Sequence, residues 1–434
     1  MSETPFQGRR LHFVGIGGAG MSGLALVAKA LGAEVSGSDQ SDSPYCERLR
    51  AAGIEPAIGH DAANVPEGAE VVVSTAIPED NPEVRAAASV LHRGDLLGEV
   101  SGLKRSIAIS GTHGKTTTAS MAAHVLHETG RDPGFLIGGE LRSAGTNAAW
   151  GAGEWLVVEA DESDRSFLKL AREVAVVTNI ELDHHATYRS LGELEGAFDA
   201  FVERADVRVL GPGVELPGAL DAVRFRIEDA EGLELLPLGS RFEVDGTPIE
   251  LTVPGEHNVL NALAALAACR PAGVGAAEAA PALKSFSGAG RRFEDHGTTP
   301  TGERVFDDYA HHPTEVAATL EAARTLPSAR IVACFQPHLY SRTAKLARDF
   351  GRALALADLA AVVDVYPARE RAEDFPGVSG LMVAQAAADA AAGRPVWWLP
   401  TLDDAERRLR EELHEGDVLV TLGAGNVDDL ARRL

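Results

Sequence analysis

Apolar residues occur along this chain in short uninterrupted runs, and most runs end in a polar or glycine-rich segment. Trp155–Ala160, Val174–Asn179 and Ile331–Phe335 are three such runs. Short apolar runs bounded by turn residues are typical of strands that are buried on both faces of a parallel sheet. The segments between them are rich in alanine and carry apolar residues at helical spacing, as in Met21–Leu31. This alternation predicts an α/β protein built from successive βα units.

The predicted strands form three groups along the chain. The first begins at Leu11 and continues with Val35–Asp39, Gly53–Ile58, Val71–Ser74 and Leu91–Arg93. The second begins at Ile107 and includes Trp155–Ala160 and Val174–Asn179, and the third comprises Val305–Tyr309, Ile331–Phe335, Ala360–Val365, Val396–Leu399 and Val418–Leu422. Residues 207–253 contain short alternating pieces and the hairpin signal Asp245-Gly246, which predict a small antiparallel patch. The length of 434 residues suggests about three domains, placed at 1–102, 103–287 and 288–434.

Charge and cysteine content narrow the classes of function. The formal net charge of −24 argues against a nucleic-acid partner, which requires a basic face. The three cysteines are widely spaced and form no CxxC pair, so neither a disulfide framework nor a cysteine zinc site is expected. No apolar run reaches about 18 residues, and the N-terminus lacks the apolar region of a signal peptide. We therefore expect a cytoplasmic monomer or homodimer without membrane insertion.

The stretch IAISGTHGKTTT, residues 107–118, carries the clearest chemistry. It predicts a strand, a glycine-rich turn and the start of a helix. Gly111 and Gly114 allow the backbone to turn sharply and present N–H groups, and a helix N-terminus behind such a turn binds anions. Lys115 can reach phosphates and Thr116 can supply a hydroxyl to Mg²⁺. We predict nucleotide phosphate binding, although Ile109 stands where the general P-loop pattern has glycine.

A second glycine-rich turn lies near the N-terminus. Gly15, Gly17 and Gly20 have the GxGxxG spacing, and Asp39 ends the next predicted strand about 20 residues later. The pattern indicates that a phosphorylated or nucleotide-bearing ligand approaches the backbone here, and taken alone it also fits a purely structural turn. Ser74 and Thr75 follow another predicted strand and are further candidate ligand contacts, with loop capping as the alternative.

Acidic, histidine and arginine side chains follow other predicted strands. Glu159 ends one apolar strand and His184 closely follows another, so both are expected to face Mg²⁺ near Thr116. Asn258 and Asn261 are three apart on a predicted helix and share a face that fits either capping or adenine recognition. In the third domain, four successive strands end in polar segments, which suggests one ligand-facing edge of a sheet that includes Arg342.

In this order, the motifs together resemble the ATP-dependent Mur ligases of bacterial cell-wall synthesis. The matching segments are GIGGAGMSGLA (15–25), GTHGKTTT (111–118), EADESDRSFL (159–168), TNIELDH (178–184), PGEHNVLNALAA (254–265), RRFE (291–294), DDYAHHPTE (307–315) and FQPHLYSRT (335–343). The resemblance implies three α/β domains: an N-terminal Rossmann-like domain, a central P-loop ATPase-like domain with a mostly parallel sheet, and a C-terminal Rossmann-like domain. It implies ATP-driven, Mg²⁺-dependent ligation of L-alanine to the carboxylate of UDP-N-acetylmuramate through an acyl phosphate.

The resemblance also assigns roles to residues of this chain. The implied catalytic residues are Lys115, Glu159, His184 and His311, and the implied Mg²⁺ ligands are Thr116, Glu159 and His184. The implied ATP site contains Gly111, Thr112, His113, Gly114, Lys115, Thr116, Thr117, His257, Asn258, Asn261, Arg291, Arg292 and Asp308. The implied UDP-sugar site contains Gly17, Gly18, Gly20, Met21, Ser22, Asp39, Ser74 and Thr75, and the implied amino-acid site contains Tyr309, His311, His312 and Arg342.

Other functions compete with this assignment, and a few positions differ from the pattern of the family. A ligase that joins a whole peptide to the same UDP-sugar, an NAD-dependent dehydrogenase and a non-catalytic nucleotide sensor are the competing functions. Hydride transfer would leave the lysine-bearing turn without a role. Several sister ligases have a carbamylated lysine on the helix that matches Leu194–Val202, which lacks lysine here. Ala186 and Leu339 replace an aspartate and an arginine found in some relatives.

Overall fold

A computed structural model describes residues 4–185 and 187–434. Within this part of the chain the strands form four sheets, and the residues pack into two compact units. One unit runs to Arg226 and also includes Asn261–Ala282, and the other contains Ile227–Leu260 and Leu283–Leu434. The architecture is the predicted α/β class, with mostly parallel sheets.

The first sheet is parallel throughout and has the strand order β3-β2-β1-β4-β5. Its strands are β1 Arg10–Val14, β2 Glu34–Asp39, β3 Ala57–Ile58, β4 Glu70–Val73 and β5 Ser89–His92, and its helices are α1 Ala19–Ala30, α2 Pro44–Ala51, α3 Pro82–Ala86 and α4 Arg93–Ser101. Ligands of open α/β sheets bind beyond the carboxyl ends of the strands. The glycine-rich turn between β1 and α1 lies at this edge.

The second sheet has the order β12-β11-β10-β6-β9-β7-β8 and is parallel except for the β7–β8 pair. Its strands are β6 Arg105–Ser110, β7 Gly134–Leu141, β8 Thr146–Ala149, β9 Trp155–Glu159, β10 Val174–Val177, β11 Val207–Leu210 and β12 Val223–Arg224, with helices α5 Lys115–Glu128 and α6 Leu191–Glu203. Strands β6, β9 and β10 are adjacent and fully apolar at their centres. The turns that follow them therefore meet at one edge of the sheet.

The second unit contains two sheets. The smaller is antiparallel, with strands β13 Glu231–Leu236, β14 Gly239–Val244 and β15 Thr247–Leu251. It confirms the predicted patch: the β14–β15 turn has positive φ at Asp245 (51°) and Gly246 (71°), as a two-residue hairpin requires. Helices α7 Glu256–Cys269 and α8 Ala276–Ser285 follow. The predicted domain ranges place this patch in the central domain, and all three ranges stay predictions.

The larger sheet of the second unit has the order β16-β17-β21-β18-β19-β20. Its strands are β16 Glu294–Thr298, β17 Arg304–Asp308, β18 Ile331–Phe335, β19 Leu359–Val362, β20 Val396–Trp398 and β21 Val418–Leu422, and its helices are α9 Pro313–Ala323, α10 Tyr340–Leu354, α11 Gly380–Ala390, α12 Leu402–Glu412 and α13 Asp428–Arg433. All pairs except β16–β17 are parallel. This is the doubly wound arrangement predicted for the C-terminal region.

Two strand predictions need correction. The predicted strand Gly53–Ile58 is paired only at Ala57–Ile58, because Gly53 has a φ of 71° and Pro56 cannot donate to a ladder. The predicted strand Leu91–Arg93 ends at His92, whose Nδ1 accepts the Gly94 N–H at 3.1 Å and caps helix α4. Arg93 is therefore the first residue of a helix.

The three cysteines, Cys46, Cys269 and Cys334, are free and fully buried. Burial raises the pKa of the Cys269 and Cys334 thiols to about 12. Their lack of disulfides agrees with the sequence prediction. Within the described residues, no helix combines the length and the apolar content needed to cross a bilayer.

Candidate active site

The turn between β6 and α5 is held in a conformation that only glycine adopts readily. Gly111 and Gly114 have φ values of 129° and 79°. A Cβ on Gly111 would lie 2.1 Å from the Thr178 hydroxyl oxygen, and one on Gly114 would lie 2.4 Å from Asn261 Oδ1. Both glycines therefore serve close packing as well as turning. The turn leads directly into the N-terminus of α5, which favours anions.

Neighbouring segments fix the shape of this turn. The Thr112 hydroxyl donates to Glu181 O at 3.0 Å and accepts from Glu181 N at 2.8 Å. His113 N donates to Asn179 Oδ1 at 2.8 Å, and the Thr178 hydroxyl donates to His113 O at 2.6 Å. These contacts anchor the turn to the chain that follows β10. Thr112 and His113 thus shape the loop from which we expect backbone N–H groups to bind phosphate.

Lys115 begins helix α5 and is folded back on the turn. Its Nζ donates to Gly111 O at 2.6 Å, to Thr112 O at 3.0 Å and to Glu162 Oε1 at 3.1 Å. Burial alone lowers the pKa of Lys115, but nearby carboxylates, led by Glu162, outweigh that effect and raise it above the usual range. The side chain is therefore a charged ammonium at neutral pH, as electrostatic binding of phosphates requires.

Thr116 and Glu159 are in direct contact. The Thr116 hydroxyl donates to Glu159 Oε1 at 3.1 Å, and Gly138 N donates to Glu159 Oε2 at 2.7 Å. Glu159 is the last residue of β9, so the strand aims its carboxylate at the first turn of α5. Thr117 is buried in the same turn. The predicted pairing of a loop hydroxyl with a strand-end carboxylate is present in the structure.

His184 joins a buried acidic cluster that the sequence analysis did not assign to the site. Its Nε2 lies 3.2 Å from Glu162 Oε1, and one ligand atom from each of Asp161, Glu162 and His184 falls within 4.8 Å of the other two. Burial lowers the pKa of His184, but contacts with Glu162 outweigh this and raise it. Burial raises the pKa of Asp161, but Lys115 and other charges lower it overall.

The donor set fits a divalent cation. Carboxylate and hydroxyl oxygens are the ligands that Mg²⁺ prefers, and a buried carboxylate needs a compensating charge. Glu162 is fully buried, and its Oε2 accepts no hydrogen bond within the described residues, although Lys115 Nζ lies 3.1 Å away. The Tyr188 hydroxyl donates to the backbone oxygen of Glu162 at 2.7 Å and fixes the segment. Ala186, where some relatives have aspartate, lies outside the described residues.

The residues assigned to adenine divide between the two units. Asn261 belongs to the unit with the phosphate turn, and its Oδ1 accepts from the Thr118 hydroxyl at 3.2 Å. His257 and Asn258 belong to the other unit, where Asn258 Nδ2 donates to Pro254 O at 2.7 Å. Asn258 and Asn261 on α7 thus make hydrogen bonds to other residues of the protein, and their role in adenine recognition stays a prediction.

The N-terminal glycine turn is closed by the residues predicted to bind a sugar nucleotide. Gly17 N donates to Asp39 Oδ2 at 2.9 Å, and a Cβ on Gly17 would lie 2.8 Å from Cys46 Sγ. Met21 and Ser22 are buried in α1, and the Ser22 hydroxyl donates to Ala19 O at 3.0 Å. These side chains shape the turn. Gly18 N donates to Gly15 O at 3.2 Å within the turn, so sugar-nucleotide binding by Gly18 and Gly20 stays a prediction.

Ser74 and Thr75 follow β4 at the same edge of the first sheet. The Ser74 hydroxyl accepts from Ala76 N at 3.4 Å, whereas the Thr75 side chain is exposed. The loop-capping interpretation of Ser74 is therefore present in the structure, and ligand binding by either residue stays a prediction.

In the second unit, Arg291 precedes β16 and Asp308 is the last residue of the neighbouring strand β17. Arg291, with φ 55°, donates to Asp307 Oδ2 at 3.0 Å and to Gly425 O at 3.0 Å. Asp308 is buried and accepts from Phe293 N at 2.9 Å and Ala310 N at 2.8 Å. Burial raises the pKa of Asp308 to about 6, against the smaller opposing effect of Arg292. The Arg292 guanidinium stacks 5.2 Å from the Tyr309 ring centroid.

The residues predicted to bind an amino acid form one cluster. His311 Nδ1 lies 3.0 Å from Tyr309 O, and His312 caps helix α9. Arg342, which is 4% exposed, places Nη1 3.2 Å from His338 Nδ1. His338 in turn stacks on Tyr366 at 5.9 Å. His338 and Tyr366 are members that the sequence analysis did not single out, although both follow strands of the parallel sheet.

Leu339 occupies the position where some relatives have arginine. It has a φ of 69° and is 7% exposed. A positive φ is unusual for a side chain of this size. Arg342 is then the arginine that this segment contributes to the cluster.

Gly114→Ala is expected to disable the phosphate turn. The methyl group would collide with Asn261 Oδ1, and the positive φ itself costs about 1 kcal/mol or more. Affinity for a non-hydrolysable ATP analogue, measured by calorimetry, should fall at least about tenfold. The control is Gly130→Ala, with φ 75° and no neighbour within 4 Å of the added Cβ. Equal losses of affinity in both variants would contradict a specific role for the turn.

Asp308 should make the stability of this protein depend on pH. Its folded pKa of about 6 lies above the unfolded value near 3.9. The contribution of protonated Asp308 to the free energy of unfolding is therefore complete below about pH 4 and is lost as the pH rises through 6. Relative to Asp308→Asn, the wild type should lose about 3 kcal/mol between pH 4 and pH 7, measured by urea unfolding. Parallel curves for the two proteins would rule this out.

Comparison with known proteins identifies the class of protein to which the chain belongs. Family models described as "Mur ligase family, catalytic domain", "Mur ligase middle domain" and "Mur ligase, glutamate ligase domain" match residues 10–104, 109–209 and 291–425. The chain belongs to the Mur ligase family. The predicted family and fold class are therefore confirmed.

Individual relatives show to which ligases of the Mur family this chain is similar. The chain is 46% identical to the UDP-N-acetylmuramate–L-alanine ligase of Acidithiobacillus ferrooxidans, over 98% of this chain and 96% of that protein. It is also similar to the crystal structure of the UDP-N-acetylmuramate–alanine ligase of Thermotoga maritima, with a TM-score of 0.84, 31% identity and coverage of 98% and 97%. A murein peptide ligase of Psychrobacter arcticus has a TM-score of 0.73 and 26% identity over 98% of each chain.

Proposed function

We propose that this protein is an ATP-dependent UDP-N-acetylmuramate–L-alanine ligase that acts in the synthesis of peptidoglycan precursors. The observation that carries the proposal is the convergence of Lys115, Glu159 and His184 at the carboxyl ends of three adjacent strands. This site occurs in a chain whose named relatives carry out the same ligation. A phosphate-binding turn facing buried carboxylates suits phosphoryl transfer and leaves no role for hydride transfer.

The reaction needs activation because a carboxylate is a poor electrophile. A carboxylate oxygen of the sugar acid attacks the γ-phosphorus of ATP, ADP leaves, and an acyl phosphate forms. The amine of L-alanine then attacks the acyl carbon, a proton is lost, and phosphate leaves with formation of the amide. Phosphoryl transfer of this kind is catalysed mainly by positioning and by neutralising charge.

In this mechanism the residues of the chain bind, orient and neutralise. The backbone N–H groups at the N-terminus of α5, from Gly114 to Thr117, bind the phosphates, and Lys115 leaves its contacts with the turn to reach the γ-phosphate. Thr116, Glu159 and His184 would hold Mg²⁺, with the carboxylates of Asp161 and Glu162 close by. When bound, Mg²⁺ supplies positive charge that offsets the negative charge on the phosphate oxygens.

The second unit supplies the amino-acid site. Arg342 pairs with the carboxylate of L-alanine in this proposal, since a guanidinium binds a carboxylate through two parallel hydrogen bonds. Tyr309 and His312 shape the cluster around it, and His311 assists the deprotonation of the amine. His257, Asn258, Asn261, Arg291, Arg292 and Asp308 bind the nucleotide, and the glycine turn with Asp39, Ser74 and Thr75 binds the UDP-sugar.

One assay tests this function against its nearest competitor. The purified protein is incubated with ATP, Mg²⁺ and UDP-N-acetylmuramate, with each amino acid or a free tripeptide added singly, and ADP is measured. We expect ADP formation with L-alanine. Turnover only with the tripeptide would favour the peptide ligase instead, in agreement with the likeness to the Psychrobacter enzyme. ADP formation with neither substrate would contradict both.

A further inference from the structure

A cavity in the first unit extends from the N-terminal glycine turn to Glu159, the carboxylate that contacts Thr116 beside the phosphate-binding turn. Its volume is about 140 Å³, and its walls include Gly20 of the N-terminal turn on one side and Gly138, Glu159 and Asp161 on the other. A whole sugar nucleotide requires a pocket of several hundred Å³. The cavity is therefore the right size for a small acidic group that reaches from the sugar-nucleotide turn toward the carboxylates.

Arg93 is the one cation among the described residues that line this cavity. Its Nη1 lies 2.9 Å from the position that a Cβ on Gly20 would take, and its side chain is 17% exposed. Its Nη2 forms an ion pair with Asp164 Oδ2 at 3.8 Å, which is beyond hydrogen-bond distance, and no hydrogen bond from the guanidinium is found within the described ranges. A guanidinium that lines a cavity and has no bidentate hydrogen-bond partner is available to bind an anion.

Helix packing fixes where Arg93 points. Arg93 is the first residue of α4, and the helix lies against the chain that follows β9 at two glycines. A Cβ on Gly94 would lie 2.7 Å from Ser166 Cβ, and one on Gly98 would lie 2.8 Å from Lys169 O. Substitution at either glycine would push the helix away. The close approach holds the N-terminus of α4 beside the acidic segment that begins at Glu159.

We propose that Arg93 binds the carboxylate of the sugar acid and holds it for attack on the γ-phosphate. This inference rests on the proposed function. Glu159 and Asp161 line the same cavity and would repel an incoming carboxylate, and Arg93 supplies the charge that offsets them. The UDP diphosphate is the other anion that a guanidinium could bind. The carboxylate is favoured because the cavity extends to Glu159, beside the phosphate-binding turn, where the acid must arrive.

The test compares two sugar nucleotides that differ in the lactyl group that carries this carboxylate. Affinities of wild type and Arg93→Met for UDP-N-acetylmuramate and for UDP-N-acetylglucosamine, which lacks the acid, are measured by calorimetry. We expect Arg93→Met to lose about 10- to 100-fold in affinity for the acid and less than about twofold for the other ligand. Equal losses for both ligands would assign Arg93 to the diphosphate, and unchanged affinities would remove it from the site. Either result overturns the proposal.

Controls separate binding from folding and from the proposed function. Arg85→Met changes an exposed arginine of the same sheet region and should leave both affinities unchanged. Arg93→Lys keeps the positive charge but cannot form two parallel hydrogen bonds, so it should recover part of the affinity for the acid. An Arg93→Lys affinity no higher than that of Arg93→Met would contradict a charge-based role. The affinity ratio needs no turnover. A wild type that forms no ADP with L-alanine therefore defeats the proposed function, whereas the ratio alone decides on Arg93.

Discussion

Replacing Lys115 by Ala is expected to lower kcat for L-alanine-dependent ADP formation at least about 10³-fold, the range found when a main charge-neutralising group of phosphoryl transfer is lost. The ammonium lies 2.6 Å from Gly111 O and remains charged despite its burial. Among the residues that the structure describes, no other helix begins with a lysine. Steady-state kinetics at saturating ATP measure the effect.

The same variant has a structural side effect that a control must exclude. Loss of Lys115 leaves Glu162 facing His184 alone, so the unfolding midpoint of the variant should be recorded beside its activity. Lys284→Ala removes a surface lysine paired with Glu250 at 3.0 Å, and such exposed pairs contribute little to stability. It should retain full activity. A folded Lys115→Ala protein with the rate of this control would remove Lys115 from catalysis.

Glu159→Ala is expected to reduce kcat by about 10²- to 10³-fold, because it removes the carboxylate aligned with Thr116. Gly138 N fixes one oxygen of Glu159 at 2.7 Å, so the group is positioned before any ligand arrives. The loss should be smaller at high Mg²⁺ if the residue binds the metal. Rates measured over a series of Mg²⁺ concentrations test this, and chelation of the metal should abolish the activity of the wild type.

A matched control for Glu159→Ala is available at Glu154, the residue before the first residue of the same strand. Glu154 has a side chain that is 71% exposed and lies 3.6 Å from Arg105. Glu154→Ala should leave both the rate and its Mg²⁺ dependence unchanged. Were Glu159→Ala to keep the wild-type Mg²⁺ dependence while losing rate, its carboxylate would act on the phosphate turn and not on the metal.

The sheets could be predicted because their strands are buried on both faces. Val174–Val177 is wholly apolar, fully buried and paired with both neighbours in the sheet, so its sequence carries the structural information locally. Edge strands are less well encoded. Near Gly53 the apolar content suggested a longer strand, but the positive φ there and Pro56 restrict pairing to two residues.

The candidate site was only partly predictable for a related reason. Glu162 stands in an acidic run, and such runs usually lie in solvent, yet this carboxylate is fully buried because Lys115 and His184 offset its charge. Only tertiary packing brings those charges together. Arg93 was missed because it was assigned to a strand. Its position immediately after β5, at the carboxyl edge of a parallel sheet, is the signal that would have identified it.

The buried thiols have a practical consequence for measuring motion in this enzyme. A maleimide reacts with thiolate, and burial keeps Cys269 and Cys334 protonated as well as shielded. A cysteine introduced on the surface would therefore accept a fluorescent or spin label selectively, without prior removal of the natural ones. All three natural thiols, including Cys46, would become reactive only when the protein unfolds. The rate at which they react with a thiol reagent therefore measures the rate of unfolding.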